Sequence, residues 1–355
     1  MDKKVPKYIL VQQKIKQAIK QKEITGKLPG ERTLAKDYGY SYMTIRKAID
    51  NLVADGVLYK LPTKGTFVAD RKSSKKKTKL IGYFLDNSIV AGLTSPYYSM
   101  IFDALEKQAR KHGYSLIYFS DAGDSSSLKH LNNVDGVVIS CFPRIENVVH
   151  DINQHVPVVV MDNSSSDKTI PSIIIDNFNA VSESVDYLAS LGHKRIGFMT
   201  GLDDSDVGKN RYAGYQNGLN NNGLKISDKL VFRGDYSFES GTNGADYFLK
   251  LKKPPTAIIC ANDAMAIALI REAGQRGLNV PEDVSVIGFD DISVASHITP
   301  PLTTLAAPIE ELAELAIKML SKLINGEKFE TRHVALPAKP VIRGSCADVK
   351  DTIAA

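Results

Sequence analysis

From Leu80 onward the chain alternates short, unbroken apolar runs with longer amphipathic stretches. The runs are LIGYFL (80–85), SLIYF, GVVIS, PVVVM, SIIID, RIGFM, residues 257–260 and VSVIGF. Helical spacing fills 97–112, 146–154, 179–191, 211–222 and 262–276. A strand with one face in water alternates apolar and polar residues. A strand that is apolar at every position has both faces covered, which is the condition of a parallel sheet between layers of helices. About 270 residues of this pattern suit two doubly wound lobes better than one. No fixed-period repeat is present.

The preceding residues have another character. Residues 8–22 predict a helix with Ile9, Ile15, Ala18 and Ile19 roughly on one face. Pro29-Gly30 breaks the chain, a short helix follows over 31–38, and Gly39 stops it. Ser41 is placed to cap a third helix running to about residue 55, in which Ile45, Ala48, Ile49, Leu52 and Val53 repeat at i, i+3, i+4, i+7 and i+8. Gly56 stands where a left-handed cap is wanted. Strands near 57–60 and 66–69 flank Leu61-Pro62-Thr63-Lys64-Gly65, so the segment reads helix, helix, turn, helix, hairpin. The stretch RKSSKKKTK (71–79) is too polar to order itself by burial and reads as a linker reaching roughly 30 Å if extended. The expected boundaries are a small domain at 1–70, a basic linker at 71–79, a two-lobed domain at 80–347 and a tail at 348–355.

The formal net charge of +5 conceals a division. Residues 1–79 hold 17 Lys and 3 Arg against 7 Asp and Glu, a balance of +13, and the remainder balances to −8. A basic head on an acidic body implies a polyanion partner at one end, nucleic acid first and an anionic membrane second. The first thirty residues are lysine-rich without an apolar core, and no run of 18 apolar residues occurs, so neither a leader nor a membrane span is expected and the location is read as cytoplasmic. Cys141, Cys260 and Cys346 are far apart and form no CxxC, and the seven histidines are scattered. No disulfide framework, metal site or cofactor is expected.

The segment LPGERTLAKDYGYSYMTIRKAIDNLVADGVLY, followed by KGTFVA, resembles the winged-helix domain of the GntR family over about residues 5–70. The resemblance implies that the third helix enters the major groove and the wing touches the neighbouring minor groove or backbone. The DNA-facing candidates are Arg32, Ser41, Tyr42, Thr44, Arg46, Lys47, Lys64 and Gly65. Arg46 is suited to a guanine edge or a phosphate, while Arg32, Thr44 and Lys64 suit phosphates, with Gly65 allowing close backbone approach. Two positions depart from the family pattern. Gly30 stands in place of Ser, losing a hydroxyl at the start of the second helix. Tyr42 stands in place of Arg, and is left to meet a thymine methyl or a phosphate, or to pack.

Beyond Leu80 the chain resembles the effector-binding domain of the LacI/GalR family. The carrying segments are SPYYSMIFDALEKQARKHGYSLI, VDGVVIS, PVVVMDN, IIIDN, LGHKRIGFMTG, RYAGY, AIICANDAMAIALIREAGQRGLNVPEDVSVIGFDD and PPLTTL, in that family's order. Joined to a GntR-type head, this is similar to the architecture of the arabinose-repressor type of regulator. The resemblance implies an effector cleft between the lobes, lined by Tyr97, Tyr98, Ser140, Asp162, Arg211, Tyr236, Asn262 and Asp290, and a homodimer. Carboxylates, an amide and a forked guanidinium suit a polyhydroxylated ligand, and tyrosine rings suit its apolar face. Ala307 stands where family members often carry Gln.

Enzyme readings find little support. In GLDDSDVGKN the glycines are too far apart for a phosphate loop and Asn210 replaces the needed Ser or Thr. Neither GxGxxG after a strand nor GxSxG occurs. Asp162 with Asp290 would make a glycosidase pair only with suitable spacing and a raised pKa. The resulting expectation is a homodimeric, ligand-responsive transcription repressor of carbohydrate-utilisation genes, binding an inverted-repeat operator. A monosaccharide or derivative is favoured as effector, with a nucleobase or nucleoside as the alternative. A transport receptor without a DNA role is the rival, and such a receptor would carry an export signal and no winged head.

Overall fold

A computed structural model of the chain describes residues 6–21, 23–54, 57–61, 64–68, 77–85, 92–119, 131, 133–140, 146–327 and 331–349. Gly56, Pro62, Thr63, Cys141 and residues 71–76 of the expected linker lie outside that set. The chain divides into two compact units between Lys77 and Thr78.

In the first unit, α1 (Lys7–Lys20), α2 (Glu31–Tyr38) and α3 (Tyr42–Ala54) precede the antiparallel strands β1 (Leu58–Leu61) and β2 (Gly65–Val68). The α3 stripe is the core: Ile45, Ala48, Ile49 and Leu52 are fully buried with Val11 and Ile15 of α1, Leu34 of α2 and Leu58 of β1. Burying four such side chains contributes on the order of 1.5–3 kcal/mol for each of the larger ones. Ser41 accepts the Thr44 amide at 3.3 Å, which starts α3, and Gly39 at φ 70° closes α2. Gly30 precedes α2 with no side-chain cap, as the lost hydroxyl implies. The inward residues of α1 are Val11, Ile15 and Ala18 rather than Ile9, because Val11 lies one turn before Ile15 and Ile9 falls off that face. The wing strands sit a residue away from their expected places. Residues 26–28 pair with β2, Leu28 donating to the Thr66 carbonyl at 2.8 Å and Val68 to that of Gly26 at 2.7 Å, and this pairing fixes the register.

The second unit holds two parallel sheets. The first contains β3 (Leu80–Leu85), β4 (Ser115–Phe119), β5 (Gly136–Ser140), β6 (Val158–Met161), β7 (Ser172–Ile175) and, late in the chain, a strand at His333–Leu336. Helices α4 (Pro96–Lys111) and α5 (Glu146–Asn153) connect its strands. The chain then passes through α6 (Asn177–Ser190) to the second sheet. That sheet comprises β8 (Ile196–Met199), β9 (Val231–Phe232), β10 (Ala257–Cys260) and β11 (Ser285–Ile287), linked by α7 (Asp206–Asn221), α8 (Phe238–Leu249) and α9 (Asp263–Gln275). It returns through β12 (Thr304–Ala306) and α10 (Ile309–Ile324) to the edge strand β13 (His333–Leu336), and leaves again by β14 (Lys339–Val341), antiparallel to β12. The strand orders are β13-β7-β6-β5-β3-β4 and β11-β10-β8-β9.

Both faces of the first sheet are covered. Tyr83, Val138 and Val159 point into one core with Leu320 of α10 and Ile101 of α4, while their neighbours Phe84, Val137 and Val158 join Val149 of α5 on the other. Unbroken apolar strands follow from that arrangement. Thr78 and Lys79, expected in the linker, are bound to this domain. The Thr78 amide and hydroxyl donate to Asp135 Oδ1 at 2.8 and 2.9 Å, and the Lys79 amide to Oδ2 at 2.9 Å. Among the described residues no helix is long and apolar enough to cross a membrane.

Candidate functional site

The carboxyl ends of the parallel strands converge on one polar cluster. Ser140 ends β5, Asp162 follows β6, Gly201 lies just beyond β8, Asn262 follows β10 and Asp290 follows β11. Open α/β sheets bind ligands at such strand ends. The backbone carries a further sign. Asp162 (φ 58°), Tyr236 (φ 70°) and Asp290 (φ 114°) occupy positive φ without being glycine. That conformation costs of order 1–3 kcal/mol and collects at ligand clamps.

Each side chain has a definite role. Tyr97 and Tyr98 open α4, buried edge to face with ring centroids 5.2 Å apart, and the Tyr97 hydroxyl donates to Asp162 Oδ2 at 2.8 Å. Asp162 Oδ1 is buried without a hydrogen-bond partner, and so is the Tyr236 hydroxyl, although Ser205 lies alongside it. Tyr236 fits because residue 201 is glycine: a Cβ there would fall 1.9 Å from the Tyr236 ring. Arg211 is buried on α7. Its Nε donates to Asn177 Oδ1 at 2.7 Å, Nη1 donates to the Ala261 carbonyl, and the guanidinium lies 3.6 Å from the centre of the Phe289 ring. These contacts aim its remaining N–H groups without using them. Asn262 caps α9, accepting the Met265 amide at 3.0 Å while its Nδ2 donates to the Tyr236 carbonyl at 2.9 Å. It thereby positions Tyr236. The Ser140 hydroxyl accepts from Tyr83 at 3.0 Å inside the first lobe.

Charge is unbalanced here. Burial pushes Asp162 up to about 6, against the lowering influence of Tyr97 and Arg211. Burial also holds Asp290 well above the ordinary range, with Asp263 and Asp162 adding to the shift and Arg211 opposing it. Asp263 was not singled out from the sequence. It is wholly buried, accepting the Ile292 amide at 2.8 Å and the Thr304 hydroxyl at 2.5 Å, and so holds the 290–292 turn in place. Asn177 and Phe289 were likewise not anticipated, because contacts distant in sequence define them. Ala307, whose amide donates to the Asp290 carbonyl at 3.3 Å, lines a surface pocket of about 360 Å³ with Met100, Asp103 and Ile309.

In the head, the face of α3 opposite its core stripe carries Tyr42, Met43, Arg46 and Lys47, all exposed. Ser41 and Thr44 hydroxyls bond each other at 2.8 Å, and Lys47 Nζ stands 4.5 Å from the centre of the Tyr8 ring. Arg32 on α2, with Lys64 and Gly65 at the wing, is exposed, and Gly65 adopts φ 111°. Met43, at 68% the most exposed large apolar side chain described, was not singled out from the sequence, although its place in the first turn of α3 was readable.

These features define a class: a two-lobed, ligand-clamping sensor on the chain of a winged-helix DNA reader. Residues 7–68 match the model of bacterial regulatory proteins of the gntR family, and residues 185–346 that of the periplasmic binding protein-like domain. The transcriptional repressor CytR of Escherichia coli K12 is 31% identical over 265 residues, covering 72% of this chain and 77% of the relative. The ribose operon repressor of Haemophilus influenzae is 28% identical over 79% of this chain and 85% of its own length. A crystal structure of a LacI-family regulatory protein from Chloroflexus aggregans superposes with a TM-score of 0.64 at 28% identity, covering 76% of this chain and 99% of that one. The chain belongs to the LacI family of DNA-binding transcription repressors, with a GntR-type head. Its relatives are regulators rather than enzymes.

Proposed function

We propose that the chain is a homodimeric repressor of carbohydrate-utilisation genes, acting in the cytoplasm, whose affinity for an inverted-repeat operator is set by a sugar or sugar derivative in the inter-lobe cleft. The observation that carries this reading is the convergence of Asp162, Arg211, Tyr236 and Asp290 at the strand ends, three of them on strained backbone, in a chain whose head is strongly basic. Buried acceptors, a pre-aimed guanidinium and tyrosine rings match a ligand with hydroxyl edges and an apolar face. Two-fold operators require two-fold proteins, hence the dimer. In the head, Arg46 and Tyr42 read bases, Arg32, Thr44 and Lys64 hold phosphates, Ser41 fixes the start of the reading helix, and Gly65 lets the wing backbone approach. Lys47 serves as a further phosphate contact when it leaves the Tyr8 ring. The test is fluorescence anisotropy on DNA from upstream of the chain's own gene. With six to ten phosphates contacted, affinity falls by about 10³–10⁵ between 50 and 200 mM salt. A salt-independent affinity, or none, contradicts the reading.

A further inference from the structure

Asp162 and Asp290 follow the carboxyl ends of their strands, whereas Thr78 and Asp135 precede the amino ends of β3 and β5. Helix α10 touches both places. Before it begins, the Asp290 amide donates to the Leu305 carbonyl at 2.8 Å and the Ala307 amide donates to the Asp290 carbonyl at 3.3 Å. The helix has 16 residues, a length of roughly 24 Å at about 1.5 Å for each. Its last turns rest on the start of β5. A Cβ on Gly136 would fall 2.8 Å from Leu320 Cδ1 and 3.2 Å from Ile324 Cδ1, so glycine lets the helix sit directly on the strand. Ser321, in the same turn, hydrogen-bonds Tyr114, which precedes β4.

The residue before Gly136 fastens the chain where it enters the sensor. Asp135 accepts from the Thr78 amide and hydroxyl at 2.8 and 2.9 Å and from the Lys79 amide at 2.9 Å. Lys79 takes φ 60°, rare for a residue with a Cβ, and its ammonium stands 5.1 Å from the centre of the Tyr114 ring. Such backbone persists only where its surroundings over-determine it. Strand pairing already holds β3 from Leu80 onward, so the extra bonds fix residues 78 and 79 themselves.

We infer that α10 and Asp135 couple the effector cluster to the head. A shift of the Asp290 turn is carried by α10 to Gly136, and Asp135 passes it to residues 78 and 79, from which the chain continues into the DNA-binding unit. This coupling rests on the effector reading above. A close-packed helix moves as a body, so a displacement at Ala307 reappears at Leu320. Loose residues at 78 and 79 would absorb that displacement, whereas two residues held by one carboxylate transmit it. Thr78, Asp135 and Gly136 belong neither to the effector cluster nor to the DNA-facing set. Changing them therefore separates coupling from either binding event.

The test uses the full chain, with ribose, glucose, galactose and adenosine as probes. Thermal shift reports binding to the sensor, and anisotropy on the upstream DNA reports the response of the head. Asp135→Ala frees residues 78 and 79, and Gly136→Ala wedges the end of α10 off β5. Thr78→Val removes only a hydroxyl and serves if circular dichroism shows that either of the others is misfolded. In wild type, a probe that raises Tm is expected to change DNA affinity by about tenfold or more, within the usual range of allosteric coupling. In the variants the same probe raises Tm by the same increment and the probe-free DNA affinity is unchanged. The probe-induced change in DNA affinity falls to about twofold or less, the signature of lost coupling with both sites intact. A full DNA response in the folded variants overturns the inference, leaves the effector reading standing and makes Asp135 a fastening of β3 alone. Loss of the Tm rise in the variants also overturns it, because these positions would then act on binding. A wild type whose DNA affinity no probe changes overturns the effector reading and the inference with it.

Discussion

Asp162 ties the stability of the sensor to pH. Its carboxyl titrates near 6 in the folded chain against an ordinary value of 3.8. A raised pKa means the folded state holds the proton more tightly, so the group costs nothing when both states are protonated, below about pH 4. The cost grows as pH rises towards 6 and is complete above it, on the order of 3 kcal/mol. Asp162→Asn, which tolerates φ 58°, is expected to raise Tm at pH 7.5 and to leave it unchanged at pH 4. An equal shift at both pH values would contradict this. In the head, Arg46→Ala removes a side chain that packs against nothing in the core, so stability is expected to hold while discrimination between specific and random DNA falls by about 1–3 kcal/mol. Met43 adds an apolar surface suited to thymine methyls. Upstream DNA amplified with dUTP in place of dTTP lacks those methyls, and Met43→Ala is expected to bind both fragments alike where wild type prefers the methylated one. A preference retained in the variant would assign the methyl contact elsewhere.

Single elements are where sequence and structure agree best and where they part. Strands β3, β4, β5 and β10 coincide with the apolar runs at 80–85, 115–119, 136–140 and 257–260, because a strand covered on both faces has no other composition available. The stripe of Ile309, Leu312, Ala313, Ala316, Ile317 and Leu320 in α10 is as regular as that in α3, yet the apolar runs read from the sequence stopped at VSVIGF and did not include it. α8 has no such stripe, for its packing surface is glycine: a Cβ on Gly241 would meet the Met265 backbone at 2.6 Å, so close approach to α9 replaces the usual apolar stripe. β12 and β14 are three residues each, too short for a period to show, and no local pattern tells that β13 returns to the first sheet. The cleft followed similar limits. Asp162 and Asp290 stand next to readable strands, whereas the commitment of Asn262 to capping, of Arg211 to Asn177, and of Asp263 to Thr304 depends on pairings across the fold. The turn after β8 supplies a test at this scale. Gly201→Ala is expected to displace Tyr236 and abolish the effector response while DNA binding without ligand is unchanged. An intact response would show that Tyr236 takes no part in the clamp.

At the scale of the whole molecule the claim is one of linkage. A ligand shifts an equilibrium only by its differential affinity for the two states, and driving it from 1:99 to 99:1 needs about 5.5 kcal/mol. The residues proposed to hold the effector lie on both sheets, Asp162 after β6 and Asp290 after β11, with the chain crossing between them after β7, β11 and β13. Under the proposed function, a molecule that bonds both carboxylates would favour the state in which the two sheets hold it together, which is the differential affinity required. Losing one charged hydrogen-bond partner removes about 1.5–3 kcal/mol of it. The most direct measurement is the dissociation constant of the full chain for its upstream DNA with and without the strongest-binding sugar, for wild type and Asp290→Asn. The account predicts at least a tenfold ligand-induced change in wild type, and no change in Asp290→Asn at the same concentration with its ligand-free affinity intact. Equal responses from both proteins would contradict it.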